Sequence, residues 1–345
     1  MDYLANSDRY NKMVYRRCGK SGLKLPAITL GMWRNFGDVS SLTNGREMIL
    51  GAFDLGITHF DLANNYGPSA GSAEETFGKI LSGELRAYRD ELVISTKAGY
   101  YLKPGPYGDW GSKKYLISSL EHSLKSMNMD YVDIFYHHRP DSDTPMEETA
   151  EAFAQMVRQG KALYVGISNY SPEQTSQMID ILNGMGVHLL IHQLSHSMLG
   201  RQNEQVFDVL DQNGVGSIAF SPLAQGILSN RYLHGNPEEQ RVKARQGLCS
   251  ESCITSEMMA KIEELHDLAQ ERGQGLSQMA LAWVLQRSTS VIIGASRLSQ
   301  IRENCQSTEN LEFSKDENDK IDAILNSCCT VEKEQAGSCT NGIKT

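Results

Sequence analysis

The chain has 345 residues, of which 40% are hydrophobic and 22% charged, a balance typical of a soluble globular protein. Its formal net charge of −9 argues against nucleic acid as a partner, because binding to phosphates draws on an excess of Lys and Arg. No run approaches the roughly 20 apolar residues that cross a bilayer. The polar N-terminus does not resemble a signal peptide, so we expect a cytoplasmic protein without a membrane partner.

The seven cysteines form no CxxC pair, which predicts free thiols in a reducing compartment. The alternative is a metal site built on Cys249 and Cys253. No His stands at a ligand spacing beside these two residues, so we expect no metal.

Short apolar runs alternate with amphipathic stretches along most of the chain. Before the alternation starts, Met13–Arg17 and Leu23–Leu25 flank Gly19–Gly22, which predicts a β-hairpin. Eight runs of mostly apolar residues then predict buried strands: Ala27–Leu30, Thr58–Leu62, Leu92–Thr96, Val132–Tyr136, Leu163–Ile167, Leu189–His192, Ser217–Phe220 and Val291–Ile293.

Two helix starts between these strands carry capping signals. Ser171 precedes Pro172, and Thr144 precedes Pro145, in the order expected of an N-cap followed by Pro at the first helical position.

Eight strands alternating with helices favour an α/β fold, a (β/α)8 TIM barrel in one domain over residues 1–345. The hairpin would cap its N-terminal end, and a C-terminal helix would precede a flexible tail from about residue 326. The loops Gly99–Lys114 and Ser221–Ser252 are long enough to be functional. An open doubly wound sheet is the alternative, but no G-x-G-x-x-G follows either of the first two strands.

Polar side chains gather at the carboxyl ends of the predicted strands, where barrel enzymes build their active sites. Asp61 ends the second strand, Tyr66 follows it, and Lys97 ends the third. A buried Lys needs a partner, and Asp61 on the neighbouring strand supplies one. The later strands end in further polar residues, namely His137, His138, Arg139, Ser168, Asn169 and Gln193.

Together these groups suit the reduction of a carbonyl, whose alkoxide product needs a proton. Tyr66 would donate it, and the ammonium of Lys97 would lower the pKa of the phenol. Each residue also has a structural interpretation: a helix cap for Asp61, packing for Tyr66 and an ion pair for Lys97. A Schiff base on Lys97, as in an aldolase, is another alternative.

Three motifs resemble the catalytic tetrad of the aldo-keto reductase family: Asp61-x4-Tyr66, Ser95-Thr96-Lys97, and His138 five residues after Asp133. The resemblance extends from Tyr15 to about Leu325. It implies a (β/α)8 barrel that binds NADPH without a Rossmann domain. It also implies that Asp61, Tyr66, Lys97 and His138 are the catalytic residues, with His138 rather than His137 orienting the carbonyl.

Four runs resemble the branch that contains bacterial L-glyceraldehyde 3-phosphate reductases and the β subunits of voltage-gated potassium channels: Arg17–Leu23, Phe60–Pro68, Tyr164–Tyr170 and Ile293–Ser296. This resemblance implies reduction of a short-chain aldehyde such as L-glyceraldehyde 3-phosphate or methylglyoxal, and a homo-oligomer of four or more subunits. The alternative is a regulatory subunit that binds NADPH and turns it over slowly. The retained His138 favours the enzyme.

The resemblance also assigns NADPH-binding residues. The nicotinamide end would meet Gly31, Trp33, Asp61, Ser168, Asn169, Gln193 and Phe220. The pyrophosphate would lie along Ser221, Pro222, Leu223, Gln225 and Arg231. The adenosine end would meet Gly294, Ser296, Arg297, Gln300, Glu303 and Asn304. From the residues alone, Gly294-Ala295-Ser296 between an apolar strand and a predicted helix is a candidate phosphate site. Ser296 and Arg297 there favour NADP over NAD, and the alternative is an ordinary exposed Arg.

The loop Gly99–Lys114 carries several cations beside the tetrad. We hypothesise that Lys103, Lys113, Lys114 or Arg139 receives the phosphate of a sugar-phosphate aldehyde. The alternative is a solvated loop with ordinary surface lysines.

Overall fold

Parallel strands close into a barrel that is wrapped by helices. A computed structural model describes residues 3–230, 233 and 255–327 of the chain. The strands are β1 Tyr15–Arg17, β2 Lys24–Pro26, β3 Ile28–Gly31, β4 His59–Asp61, β5 Val93–Ala98, β6 Val132–His137, β7 Ala162–Ser168, β8 Leu189–Ser195, β9 Gly216–Phe220 and β10 Ser290–Ile293. The α-helices are α1 Leu42–Asp54, α2 Ser72–Ser82, α3 Lys113–Met127, α4 Met146–Arg158, α5 Pro172–Gly184, α6 Glu204–Asn213, α7 Ser256–Glu271, α8 Leu276–Val284, α9 Leu298–Cys305 and α10 Lys315–Asn326.

The barrel is closed in the order β10-β3-β4-β5-β6-β7-β8-β9, and every pairing in it is parallel. The eight predicted strands and the (β/α)8 fold are thus confirmed, and the open doubly wound sheet is excluded. The largest difference is at β8, which continues beyond the predicted end at His192 to Ser195. The residues of β8 beyond His192 include polar side chains near the barrel mouth. An apolar run therefore does not show where this strand ends.

The predicted hairpin is confirmed as β1 and β2, which pair antiparallel and close the N-terminal end of the barrel. Cys18 and Leu25 are fully buried in a cluster with the lower barrel residues. The Cys18 thiol lies 3.7 Å from the carbonyl oxygen of Leu190 at the start of β8. The backbone N–H of Lys20 donates to Gly214, just before β9, over 2.8 Å.

One of the two predicted helix caps is present. Ser171 accepts from the backbone N–H of Gln174, whose side chain accepts in return, so this capping box is confirmed. The cap at Thr144 is wrong. Its hydroxyl is turned toward the Asp141 carboxylate, to which it donates over 2.6 Å, and the helix begins one residue later than predicted. Pro145 takes the N-cap position instead, without a side-chain bond.

Several predictions concern residues that lie outside the described ranges. They include Arg231, Cys249, Cys253, most of the loop Ser221–Ser252 and the tail from residue 328. Within the ranges that are described, no helix has the length and apolar character needed to cross a membrane. In the same ranges, no three His, Cys, Asp or Glu side chains are grouped so that they could hold a metal ion.

Gly19 tests how tightly the hairpin fits the barrel. It has φ +54°, and a Cβ there would lie 2.2 Å from the carbonyl oxygen of Gly214. Gly186 has φ +70° with open space around it, so it controls for the left-handed backbone alone. We expect Gly186→Ala to lower the free energy of unfolding by about 1 kcal/mol. Gly19→Ala should lower it by roughly 1–3 kcal/mol more, because overpacking adds to strain. Urea unfolding checks both, and equal losses would contradict a tight fit.

Candidate active site

A buried ion pair lies at the carboxyl ends of β4 and β5. Lys97 is fully buried, and its ammonium lies 2.5 Å from Oδ2 of Asp61. The ammonium also donates to the carbonyl oxygen of Leu62 over 2.7 Å. The other carboxylate oxygen accepts from the hydroxyl of Ser95 at 2.7 Å and from the amide of Gln193 at 3.2 Å. Both charges therefore have the hydrogen bonds that burial demands.

Strand alternation explains why these side chains meet. Residues two apart on a strand point to the same face, so Ser95 and Lys97 both enter the barrel. Asp61 pairs with Ser95 in the β4–β5 register and reaches the same interior layer. The intervening Thr96 points outward, where its hydroxyl donates over 2.6 Å to the buried carboxyl of Glu74 on α2.

Tyr66 lies above this ion pair in the loop between β4 and α2. The Lys97 ammonium is 4.9 Å from the centre of the phenol ring, and among the described residues the Tyr66 hydroxyl has no hydrogen-bond partner. Burial and the charge of Asp61 raise the pKa of Tyr66 well above 10. The pKa of Tyr66 is therefore raised overall and not lowered as predicted, because burial and the Asp61 charge dominate. The hydrogen bonds of the ammonium go to Asp61 and to the Leu62 carbonyl.

His138 completes the group of polar side chains at the end of β6. Its ring centre is 5.7 Å from that of Tyr66 and 4.7 Å from that of Tyr100. Its neighbour His137 instead contacts the hydroxyl of Tyr170 through Nδ1 at 2.6 Å. The structure therefore brings His138, and not His137, to the phenol, as the resemblance implies.

The imidazole of His138 is neutral. Burial lowers its pKa well below 6.5, and the positive charges of Lys97 and Arg139 lower it further. Its Nδ1 is buried and has no partner among the described residues. A neutral imidazole with a free edge can donate one N–H to an incoming oxygen.

The residues predicted to meet a nicotinamide lie on the next strands around the mouth. Ser168 at the end of β7 is in register with Gln193 on β8. Asn169 donates through its amide to the Ser168 hydroxyl and to the His138 carbonyl, both at 3.0 Å. Phe220 ends β9 and is half-buried. Hydroxyl and amide groups beside an aromatic face fit a carboxamide on a flat ring.

Other predicted cofactor residues extend around the same rim. Gly31 ends β3 opposite Asp61, and Trp33 in the following loop is 51% exposed. After β9 the backbone turns sharply, with positive φ at Ser221 and Gln225. Pro222 and Leu223 lie between these two residues.

The segment after β10 fits a phosphate. Arg297 is exposed and directly precedes α9, where unpaired backbone N–H groups favour anions. Its guanidinium donates to Ser299 at 3.1 Å, which leaves further donors for a ligand. Gly294 has open space where a Cβ would stand. Ser296 bonds to Gln300 at 2.8 Å, and Glu303 and Asn304 follow on α9.

The loop lysines do not face the tetrad. Lys113 pairs with Glu151 at 3.1 Å, and the Lys114 ammonium lies 5.0 Å above the Tyr107 ring. With Lys103, they line a groove along α3 whose walls include no tetrad residue. The hypothesis that these lysines hold a substrate phosphate therefore loses its basis, because a loop's side chains can turn away from a site that its backbone borders.

Arg139 is the cation beside the tetrad. Its guanidinium stacks 3.7 Å from the Trp110 ring centre and 4.4 Å from that of Tyr100. It pairs with Asp109 at 2.7 Å and donates to the Gly99 carbonyl at 2.9 Å. These contacts hold the β5–α3 loop over His138.

Three site residues have no role in the sequence interpretation: Ser95, His59 and Tyr100. Ser95 and His59 stand two residues before Lys97 and Asp61, so strand alternation was the available signal. Tyr100 carries no such signal, because its contact with His138 depends on how the loop folds.

A closed barrel with Asp, Tyr, Lys and His side chains at one mouth defines the class of the protein. The sequence profile of the aldo/keto reductase family matches residues 27–326, and the chain belongs to this family of oxidoreductases. The predicted family is thus confirmed. The chain is 54% identical over 330 residues to L-glyceraldehyde 3-phosphate reductase of Escherichia coli O157:H7, covering 93% of this chain and 95% of the relative. It is 34% identical over 307 residues to a probable voltage-gated potassium channel subunit beta of Arabidopsis thaliana, covering 86% and 92%.

The buried ion pair makes a prediction about stability. Lys97→Met leaves the Asp61 carboxylate buried without its counter-charge, so we expect a loss of about 3–5 kcal/mol in the free energy of unfolding. Lys97→Met combined with Asp61→Asn removes both charges and should regain part of that loss. Urea unfolding of the single and double variants measures the coupling. Strictly additive losses would show that the two charges do not stabilise each other.

Proposed function

We propose that this aldo/keto reductase reduces short-chain aldehydes to alcohols with NADPH, and that Tyr66 is the general acid. L-glyceraldehyde 3-phosphate and methylglyoxal are the candidate substrates. The observation that carries the proposal is the phenol of Tyr66, which lies over the buried Lys97–Asp61 pair and beside a neutral imidazole.

Each residue of the tetrad has a separate role in the proposed reduction. NADPH, when bound, supplies the hydride. The neutral His138 donates an N–H to the carbonyl oxygen and so orients it. The raised pKa of Tyr66 keeps the phenol protonated, ready to protonate the much more basic alkoxide. The nearby ammonium of Lys97 then stabilises the phenolate that remains.

The rim of the barrel supports NADPH as the cofactor, since family members generally use NADP(H). Ser168, Asn169 and Gln193 would hold the carboxamide, and Phe220 would stack on the ring. The exposed guanidinium of Arg297 before α9, which keeps donors beyond its bond to Ser299, favours the additional phosphate of NADP.

The substrate class rests on the relatives and on Arg139. The 54% identical relative is named for a phosphorylated aldehyde. In this chain Arg139 directly follows His138, and its charge acts on that imidazole. We infer that Arg139 receives the substrate phosphate.

Two alternative functions are less well supported. A channel-type regulatory subunit matches the relative with 34% identity, whereas the relative with 54% identity is named a reductase. An aldolase needs a nucleophilic amine on Lys97, but the ammonium is held by Asp61 and by the Leu62 carbonyl.

Loss of the Tyr66 hydroxyl tests the mechanism. Tyr66→Phe should lower kcat by roughly 10²–10⁴-fold, because the alkoxide then lacks its proton donor. The measurement is NADPH oxidation with glyceraldehyde 3-phosphate, methylglyoxal and an aromatic aldehyde. Tyr101→Phe, in an exposed position of the neighbouring loop, is the matched control.

Full activity of Tyr66→Phe would refute the mechanism. A stopped-flow trace of bound NADPH mixed with aldehyde separates enzyme from regulatory subunit, since a subunit of that kind would oxidise it very slowly. Borohydride trapping of an adduct on Lys97 would instead support an aldolase.

Arg139→Gln tests the phosphate contact. The ratio of kcat/KM for glyceraldehyde 3-phosphate over glyceraldehyde should fall about tenfold, as expected for losing one charge-assisted hydrogen bond. Lys113→Ala should leave this ratio unchanged, because Lys113 lines the groove along α3, whose walls include no tetrad residue. The reverse pattern would assign the phosphate to the loop lysines.

A further inference from the structure

A continuous chain of buried hydrogen bonds runs beneath the ion pair. Ser290 Oγ lies 2.8 Å from Thr29 Oγ1, which lies 3.0 Å from His59 Nδ1. On the other side of the ring, His59 Nε2 lies 3.0 Å from Ser95 Oγ, which lies 2.7 Å from Asp61 Oδ1. These residues come from β10, β3, β4 and β5, and all are at most 1% exposed.

The carboxylate at one end fixes the direction of the whole chain. The carboxylate of Asp61 accepts from the Lys97 ammonium through one oxygen and from the Ser95 hydroxyl through the other, so Ser95 is the donor in this bond. A hydroxyl has one proton, and the bond between Ser95 and His59 must therefore come from an Nε2–H on the imidazole.

The directions of the hydrogen bonds on the Nδ1 side of the His59 ring follow in the same way. A neutral imidazole carries one N–H, so Nδ1 of His59 is an acceptor and receives the Thr29 proton. Ser290 then donates to Thr29. Burial lowers the pKa of His59 to about 4, with Lys97 lowering it further and Asp61 opposing, which keeps the ring neutral.

We infer that His59 is a positioning residue that acts through Ser95 on the catalytic ion pair. Its Nε2–H turns the Ser95 hydroxyl toward Asp61, and the carboxylate so fixed holds Lys97 beneath Tyr66. The inference rests on the proposed function only in so far as Asp61 and Lys97 serve catalysis.

The opposite tautomer would undo this arrangement. An unprotonated Nε2 would accept the Ser95 proton and draw it away from Asp61. The nearest other acceptor for that hydroxyl is the Phe60 carbonyl at 3.5 Å. Thr29 excludes this tautomer as long as it donates to Nδ1.

The tautomer can be measured without any assay of activity. Nitrogen-15 NMR of histidine-labelled protein should show His59 protonated at Nε2 and unprotonated at Nδ1, unchanged between about pH 6 and 9. The spectrum of His59→Gln assigns the signal by its loss. A proton on Nδ1, or an imidazolium within that range, would overturn the inference.

Kinetics test the effect on catalysis. His59→Leu and Ser95→Ala should each lower kcat about tenfold, the size expected for one hydrogen bond to a charged group. KM for the aldehyde and Kd for NADPH should stay within about twofold, because the loss falls on the proton-transfer step. His59→Gln should restore most of kcat, since its amide N–H can donate to Ser95.

His192→Leu is the matched control for losing a buried strand histidine. His192 bonds to Thr175 at 3.3 Å on the outer face of the barrel, toward α5, and its kcat should stay within about twofold of the wild type. If His59→Leu fails to fold by circular dichroism, Ser95→Ala decides the question, because it removes a single oxygen.

The experiments distinguish a failure of the positioning role of His59 from a failure of the proposed function. Unchanged kcat in both His59→Leu and Ser95→Ala overturns the positioning role, and so does a parallel change in KM and Kd, which would indicate general disruption. Full activity of Tyr66→Phe overturns the proposed function instead, while the NMR result stands.

Discussion

A buried ammonium is the constraint around which the barrel mouth is organised. Lys97 has no access to water, so its charge persists only because Asp61 lies 2.5 Å away and the Leu62 carbonyl accepts a second bond. Asp61 in turn requires donors, which Ser95 and Gln193 supply from two other strands. The positions of three barrel strands, β4, β5 and β8, are thus tied to one pair of charges, and the Tyr66 ring lies 4.9 Å from the ammonium.

The fold was predictable because each strand is indicated by a short stretch of neighbouring residues in the sequence. Apolar runs such as Val132–Tyr136 have few alternatives to a strand buried on both faces, and their eight-fold repetition excludes most other architectures. The wrong cap at Thr144 shows the limit. Whether its hydroxyl turns to the helix or to Asp141 depends on the path of a loop, which the spacing of residues does not contain.

The site was predictable in membership but not in electrostatics. Asp61 and Lys97 stand at adjacent strand ends, so parallel pairing alone brings them together. The pKa of Tyr66 depends on how deeply the fold buries the phenol and on its distance from the Asp61 charge, and neither can be read from the spacing of residues. The loop lysines fail for a related reason: Lys113 finds Glu151 on α4, a contact that only the folded chain creates.

The hairpin closes the amino-terminal end of the barrel, so the polar cluster around Lys97 is approached from the carboxyl ends of the strands. Cys18 and Leu25 seal the floor of the barrel, and the protons of the hydrogen-bonded chain beneath Asp61 already point toward the carboxylate. Under the proposed mechanism Tyr66 loses one proton in each turnover, and with the bottom of the barrel closed we expect this proton to return by way of the mouth. The loop contacted by Arg139 borders that mouth, so under this mechanism its position would affect both the reprotonation of Tyr66 and the release of the alcohol.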